Sequence, residues 1–133
     1  GTRELFVTAG LPDAIGAPAV AIYCDIDEIQ GVYSVVSGAY NTKLLDDQLA
    51  LGVSGSIGCG SAEYNRGYFG VDKAAFNDLT LTGSAACSLP GKLTLTPAVQ
   101  YVCLLDSEIR NGAEALYKDT SLVVGSVKLS YTF

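Results

Sequence analysis

The chain contains no histidine, no tryptophan and no methionine. Without histidine, the Ser-His-Asp and Cys-His arrangements of nucleophilic catalysis cannot be assembled, and zinc loses its usual nitrogen ligand. Basic residues are scarce as well: 8 lysines and arginines against 14 aspartates and glutamates give a net charge of −6 and a pI near 4.3. They stand singly along the sequence, which excludes the basic stripe that nucleic-acid binding requires. Although 49% of the residues are hydrophobic, no run approaches the roughly 18 apolar residues of a transmembrane helix. A length of 133 residues leaves room for one domain and not for two cores. No signal peptide is visible and the sequence opens on Gly1 without Met, so a mature product or a trimmed piece is expected.

High apolar content without long apolar runs is expected where strands conceal their oiliness by alternation. The carboxyl-terminal segment shows this most clearly. Val123, Gly125, Val127, Leu129, Tyr131 and Phe133 occupy its odd positions; Ser126, Lys128, Ser130 and Thr132 occupy even ones. A period of two gives a strand one oily face and one wet face. Seven strands are predicted, at 4–8, 17–27, 31–41, 48–59, 78–89, 92–105 and 119–133. In 17–27, Val20, Ile22, Cys24 and Ile26 share one face, and Ala19, Ala21, Tyr23, Asp25 and Asp27 the other. In 48–59, Leu49, Leu51, Val53, Ile57 and Cys59 oppose a face of small residues only, as expected where a barrel interior is crowded. The faces of 31–41 do not separate.

Several of these segments exceed ten residues, nearer the roughly 9–11 of a tilted membrane strand than the roughly 5–6 of a soluble one. Connections at 41–47 and Pro90-Gly91 are predicted as short turns, and 60–77 and 106–118 as long loops. Short and long fall at opposite ends, the arrangement of bacterial barrels. Pro97 inside a strand removes one ladder donor. An odd strand number conflicts with the even count of single-chain bacterial barrels. Either Tyr68–Val71 supplies an eighth strand, or open edges meet those of another copy in a homo-oligomer, or the chain is part of a larger barrel.

Four stretches carry a family likeness: Tyr64-Asn65-Arg66-Gly67-Tyr68-Phe69-Gly70-Val71, Phe76-Asn77-Asp78-Leu79, Leu93-Thr94-Leu95-Thr96-Pro97 and Leu104-Leu105-Asp106-Ser107. With the terminal aromatic strand, they make residues 17–133 resemble the carboxyl-terminal half of bacterial outer-membrane β-barrels of the MipA/OmpV-like and related porin families. The resemblance implies a bacterial outer-membrane location, a lipid-bilayer environment, and recognition by the barrel assembly machinery, with Tyr131 and Phe133 as the assembly signal.

Chemistry-bearing residues are few. Cys24, Cys59 and Cys103 fall on the oily face near the long-loop end, separated by intervening strands about 9–10 Å across. Cys87 lies near the opposite end. A disulfide needs Cα atoms within about 7 Å, so four free thiols are expected and no metal site. Carboxylate pairs occur at Asp25 with Asp27, Asp46 with Asp47, and Asp106 with Glu108; solvated carboxylates are the plainer reading. Gly58-Cys59-Gly60 has no following helix to make it a phosphate cradle. Asp25, Asp27, Gln100 and Lys128 are expected to line a lumen, Lys128 either tuning passage or pairing with an inward carboxylate. Tyr64, Tyr68 and Phe69 are expected in a loop over the mouth, as girdle residues or as ligand contacts.

The expectation is therefore an all-β, antiparallel, up-and-down transmembrane β-barrel of about 8 strands, or a 7-strand portion of a larger or multi-chain one. It would be structural or porin-like, with no catalytic activity and no cofactor. The alternatives are a soluble calycin-like barrel holding an apolar small molecule, with its alternation reversed, and an edited or designed barrel.

Overall fold

The computed structural model of the chain describes residues 3–133. Seven antiparallel strands form one sheet in which spatial order equals chain order. They are β1 (Glu4–Gly10), β2 (Ala19–Asp25), β3 (Val32–Leu44), β4 (Leu49–Gly60), β5 (Ala75–Leu89), β6 (Leu93–Leu104) and β7 (Ser121–Tyr131). All seven expected strands are present, with shifted ends. Strands β1 and β7 do not pair with each other, so the sheet stays open.

Of the three ways to resolve the odd strand number, an eighth strand at Tyr68–Val71 is not found. Residues 68–71 instead finish α1 (Ala62–Phe69) and its cap, and a second helix, α2 (Ser107–Tyr117), occupies most of the other predicted loop. Both helices begin on side-chain caps that satisfy free backbone N–H groups. Ser61 Oγ accepts from the Tyr64 N–H at 3.3 Å, and Asp106 Oδ1 accepts from Glu108 and Ile109 at 2.9 and 3.2 Å. Gly70, with φ of 71°, ends α1 in the left-handed conformation and returns its N–H to Arg66.

Turn geometry also departs from expectation. Leu89 pairs with Leu93, so Pro90-Gly91-Lys92 is a three-residue connection, with Gly91 and Lys92 at φ of 81° and 62°. Strand β3 continues through Asn41 to Leu44, and the turn that follows holds Leu45, Asp46 and Asp47 at φ of 53°, 54° and 66°. Pro97 pairs with Val127 of β7, whereas the ladder toward β5 is interrupted between Ser84–Ala98 and Cys87–Leu95. The missing donor costs pairing on one side of the strand only.

The turns at 11–18, 45–48 and 90–92 lie at one end of the sheet, here the turn end. Residues 26–31 and both helices lie at the other, the helix end. Among the described residues only two apolar side chains are fully buried, Ile109 and Ala113 of α2. A water-soluble chain of this length buries most of its large aliphatic side chains. Here the sheet has no apolar core on either side.

Candidate functional site: two faces of one sheet

Strand pairing assigns every strand residue to a face, because directly paired residues point the same way. One face carries Leu5 and Val7 of β1; Val20, Ile22 and Cys24 of β2; Val36 and Tyr40 of β3; and Leu51, Val53 and Ile57 of β4. It continues through Leu79, Leu81 and Cys87, then Leu95, Val99 and Tyr101, to Val123, Val127 and Leu129. No Asp, Glu, Lys or Arg belongs to it on any strand. The opposite face holds Ala19 and Ala21, Ser37 and Ala39, Gly52, Ser54 and Ser56, Thr80, Thr82 and Ser84, Ala98 and Gln100, and Ser126 and Lys128. This is the alternation anticipated in β2, β4 and β7. The ambiguity of β3 arises because Ser34 and Thr42 stand on the oily face while Val35 stands on the small one.

Exposure runs opposite to that of a water-soluble sheet. On the inner strands, large aliphatic side chains are open to the surroundings (Val53 63%, Val99 57%). The small face is half covered: Ser54, Ser56, Thr80, Thr82 and Ser84 are all partly buried. Contiguous apolar exposure on soluble monomers rarely passes a few hundred Å², and this surface extends across seven strands.

The small face is closed over at the helix end by a row of rings. Phe6, Tyr23, Tyr33, Tyr64 and Tyr68 follow one another with centroids 6.1, 6.3, 5.0 and 4.5 Å apart. The Tyr33 hydroxyl donates to Asp78 Oδ2 at 2.6 Å, crossing β4 above Gly58. Any side chain at 58 would meet the Tyr33 ring and hydroxyl. Burial, first, and then the neighbouring Tyr68 and Asp78 push the Tyr64 phenol up to about 12, so it stays neutral. Together with Glu4 and Val35, these tyrosines line a cup of about 300 Å³.

Behind the rings lies a buried amide pair. A bulge between Gly58 and Cys59 on β4 leaves Asn77 outside the ladder, and its side chain turns inward to donate to Asn65 Oδ1 at 2.6 Å. Asn65 in turn donates to the carbonyls of Lys73 and Gly60 at 2.7 and 3.3 Å. The two helices are further joined by Lys73, whose ammonium donates to Asp106 Oδ2 at 3.0 Å and lies 3.5 Å from Glu108. That contact, more than the α2 backbone N–H groups, holds the Asp106 carboxyl below the usual carboxylate range.

The residues singled out in the sequence do not converge on one site. Asp25 is on the small face at the end of β2, but Asp27 lies beyond the strand and only donates its N–H to Asp25 Oδ1 at 2.9 Å. Gln100 is on the small face and donates to Thr82 Oγ1 at 3.4 Å. Lys128 shares that face near the turn end and makes no ion pair among the described residues. Tyr64 and Tyr68 belong to the ring row; Phe69 instead packs edge-on against Tyr117 of α2, centroids 6.5 Å apart. Tyr131 is on the oily face, with Phe133 beyond the strand and 5.3 Å from it. All four cysteines are free and on the oily face, as their spacing required. Asn65, Asn77, Tyr33 and Lys73 carry the architecture of the helix end without having been singled out. Polar side chains in a predicted loop gave no sign of burial. No group of three potential ligands that could hold a metal occurs among the described residues. No family model, curated protein or solved structure matches the chain.

Proposed function

We propose that the chain is a sector of a bacterial outer-membrane β-barrel, structural rather than catalytic, whose oily face meets acyl chains. One observation carries this reading: a charge-free apolar surface spans all seven strands and is largely exposed, while on the inner strands the small polar face is the more covered one. In lipid that surface is matched to its surroundings, and the backbone is satisfied by the ladder wherever strands are paired. Strand length agrees. The 12 residues of β4 extend roughly 40 Å, which at a tilt near 45° spans about the 30 Å of a hydrocarbon core. Charged residues other than Lys128 stand at or beyond the strand ends, in keeping with the position of headgroups and water. The small face, with Asp25, Gln100 and Lys128, then looks inward, and the ring row and α1 cover that interior at the helix end. The short turns belong to the periplasmic side and the helices to the outer one.

The test is partition. Refolded chain is mixed with phosphatidylcholine vesicles and floated on a density gradient, then washed at high salt. The expected result is β-rich protein that floats, survives the wash and dissolves only in detergent. Monodisperse, folded protein in plain buffer would overturn the reading and favour a soluble barrel with an internal apolar ligand site.

A further inference from the structure

The two outer strands run in the same direction. Every neighbouring pair in the sheet is antiparallel, and β1 and β7 are separated by six such steps in a seven-strand order. Both therefore run from the helix end to the turn end. Each leaves one row of backbone N–H and C=O groups without a ladder partner, and every residue of both strands is exposed. In hydrocarbon those rows cannot turn to water.

We infer that a single additional β-strand, running from the turn end to the helix end and bearing a carboxylate on its inward face, docks between β7 and β1 and closes the sheet. The inference rests on the lipid-facing reading above. Direct contact of β1 with β7 would make a parallel seam in an otherwise antiparallel sheet. A second copy inserted in the same sense would bring its β1 beside β7 and make the same parallel seam. An inverted copy could pair β7 with β7 antiparallel, but only by placing the acidic helix ends on opposite sides of the bilayer. One strand of opposite sense satisfies both edges at once.

Its composition is set by what it adjoins. Its outward residues continue Val123, Val127 and Leu129 on one side and Leu5 and Val7 on the other, so they are apolar. Its inward residues meet Ser126 and Ser130 and are small or polar. Lys128 sets the remaining requirement. It is the one charged side chain well inside β7, on the inward face beside the free edge, opposite Thr96 and with no ion pair among the described residues. The inward carboxylates Glu4, Asp25 and Asp78 all stand at the helix end, away from it. Lys128 is exposed while the edge is open; closing the sheet encloses its ammonium, which then needs a partner, and cross-strand opposite charges pair favourably. An eight-stranded result would have an interior just filled by side chains, which accords with the Ala, Ser and Gly residues of the small face.

The experiment uses the full chain in phosphatidylcholine vesicles. The probe is a synthetic eleven-residue peptide alternating Val or Leu with Ser or Thr, with one Glu at a central inward position. Amide hydrogen exchange is followed on β1 and β7, and flotation is measured on the same samples. The expected result is slowing of exchange by at least about tenfold on both strands, as expected when amides join a ladder. A peptide with Lys in place of Glu should bind more weakly, and that preference should reverse for Lys128→Glu. Protection of one edge alone, protection that rises with chain concentration without peptide, or a floating chain indifferent to both peptides would each overturn the closure and leave the lipid reading standing. A chain that does not float removes both.

Discussion

Tyr33 reaches across β4 only because position 58 has no side chain. The ring and hydroxyl occupy the space a Cβ at Gly58 would take, and the Asp78 carboxylate that accepts the hydroxyl lies 2.7 Å from that same point. Gly58→Ala is therefore expected to destabilise the fold by about 1–3 kcal/mol, the usual cost of overpacking a filled site. Gly83 is the internal control: it sits mid-strand on the oily face with nothing within 4 Å of a built Cβ. Gly83→Ala should be neutral or stabilising by up to about 1 kcal/mol, through reduced freedom of the unfolded chain. Urea unfolding in vesicles, followed by tyrosine fluorescence, measures both. Equal losses for the two variants would mean that Tyr33 is not seated over β4. At this scale the sequence was partly informative. The small-only face of 48–59 pointed to a crowded interior, but nothing marked Gly58 as the point of contact or Tyr33 as the approaching group, since the faces of β3 are mixed by Ser34, Val35 and Thr42.

The strands, and the faces of β2, β4 and β7, were legible from alternation, because a period of two survives any shift of strand ends. The helices were not, although their signals were present. Ser61 and Asp106 are ordinary N-caps with an acidic residue in the first turn, and Gly70 is an ordinary C-cap. Only Ile109 and Ala113, one turn apart on α2, are buried, so apolar periodicity was too weak to outweigh the polar composition of each segment. Ile109 and Ala113 anchor α2 by burial, and the Lys73–Asp106 contact at its first turn adds a pH dependence. The Asp106 carboxyl titrates below its ordinary value in the folded chain, first because of Lys73, so its contribution is present above the unfolded value near pH 4. It is lost as pH falls through the lower, folded-state value. Lys73 is raised by Asp106, so its share is complete below the ordinary lysine range and fades only as strong alkali is reached. Proteolytic nicking of 107–117 should thus stay slow across neutral pH and accelerate several-fold on acidification below about pH 4. Asp106→Asn should be nicked faster at neutral pH and lose the acid-side acceleration. A wild-type profile that is flat to acid would show that the Lys73 contact does not hold the helix.

For the whole molecule, the two faces exchange the roles they have in water, and this decides how substitutions should behave. In a soluble protein a lysine at an exposed aliphatic position is harmless, since surface changes mostly fall within about 0.5 kcal/mol. Val53 is such a position, 63% exposed in the middle of β4. On the lipid-facing reading proposed above, Val53→Lys should instead cost about 2–4 kcal/mol, as charged residues do at the bilayer midplane of barrels. The inward neighbour gives the contrast: Ser126 shares its face with Lys128 on β7, and Ser126→Lys should leave vesicle insertion close to wild type at moderate salt. Val53→Lys separates a lipid-facing oily face from a water-facing one, because the two predict opposite signs for it. Against acyl chains, the fraction of floating protein falls for Val53→Lys and holds for Ser126→Lys. Against water, with Val53 exposed as it is on β4, Val53→Lys is silent or improves solubility. The odd strand number enters here as well: with both edges unfilled, the wild-type chain starts from a reduced margin, so the Val53→Lys loss should appear as failed insertion rather than as a shifted midpoint. Adding the acidic closing-strand peptide should restore part of that insertion if edge pairing and lipid matching contribute to the same equilibrium.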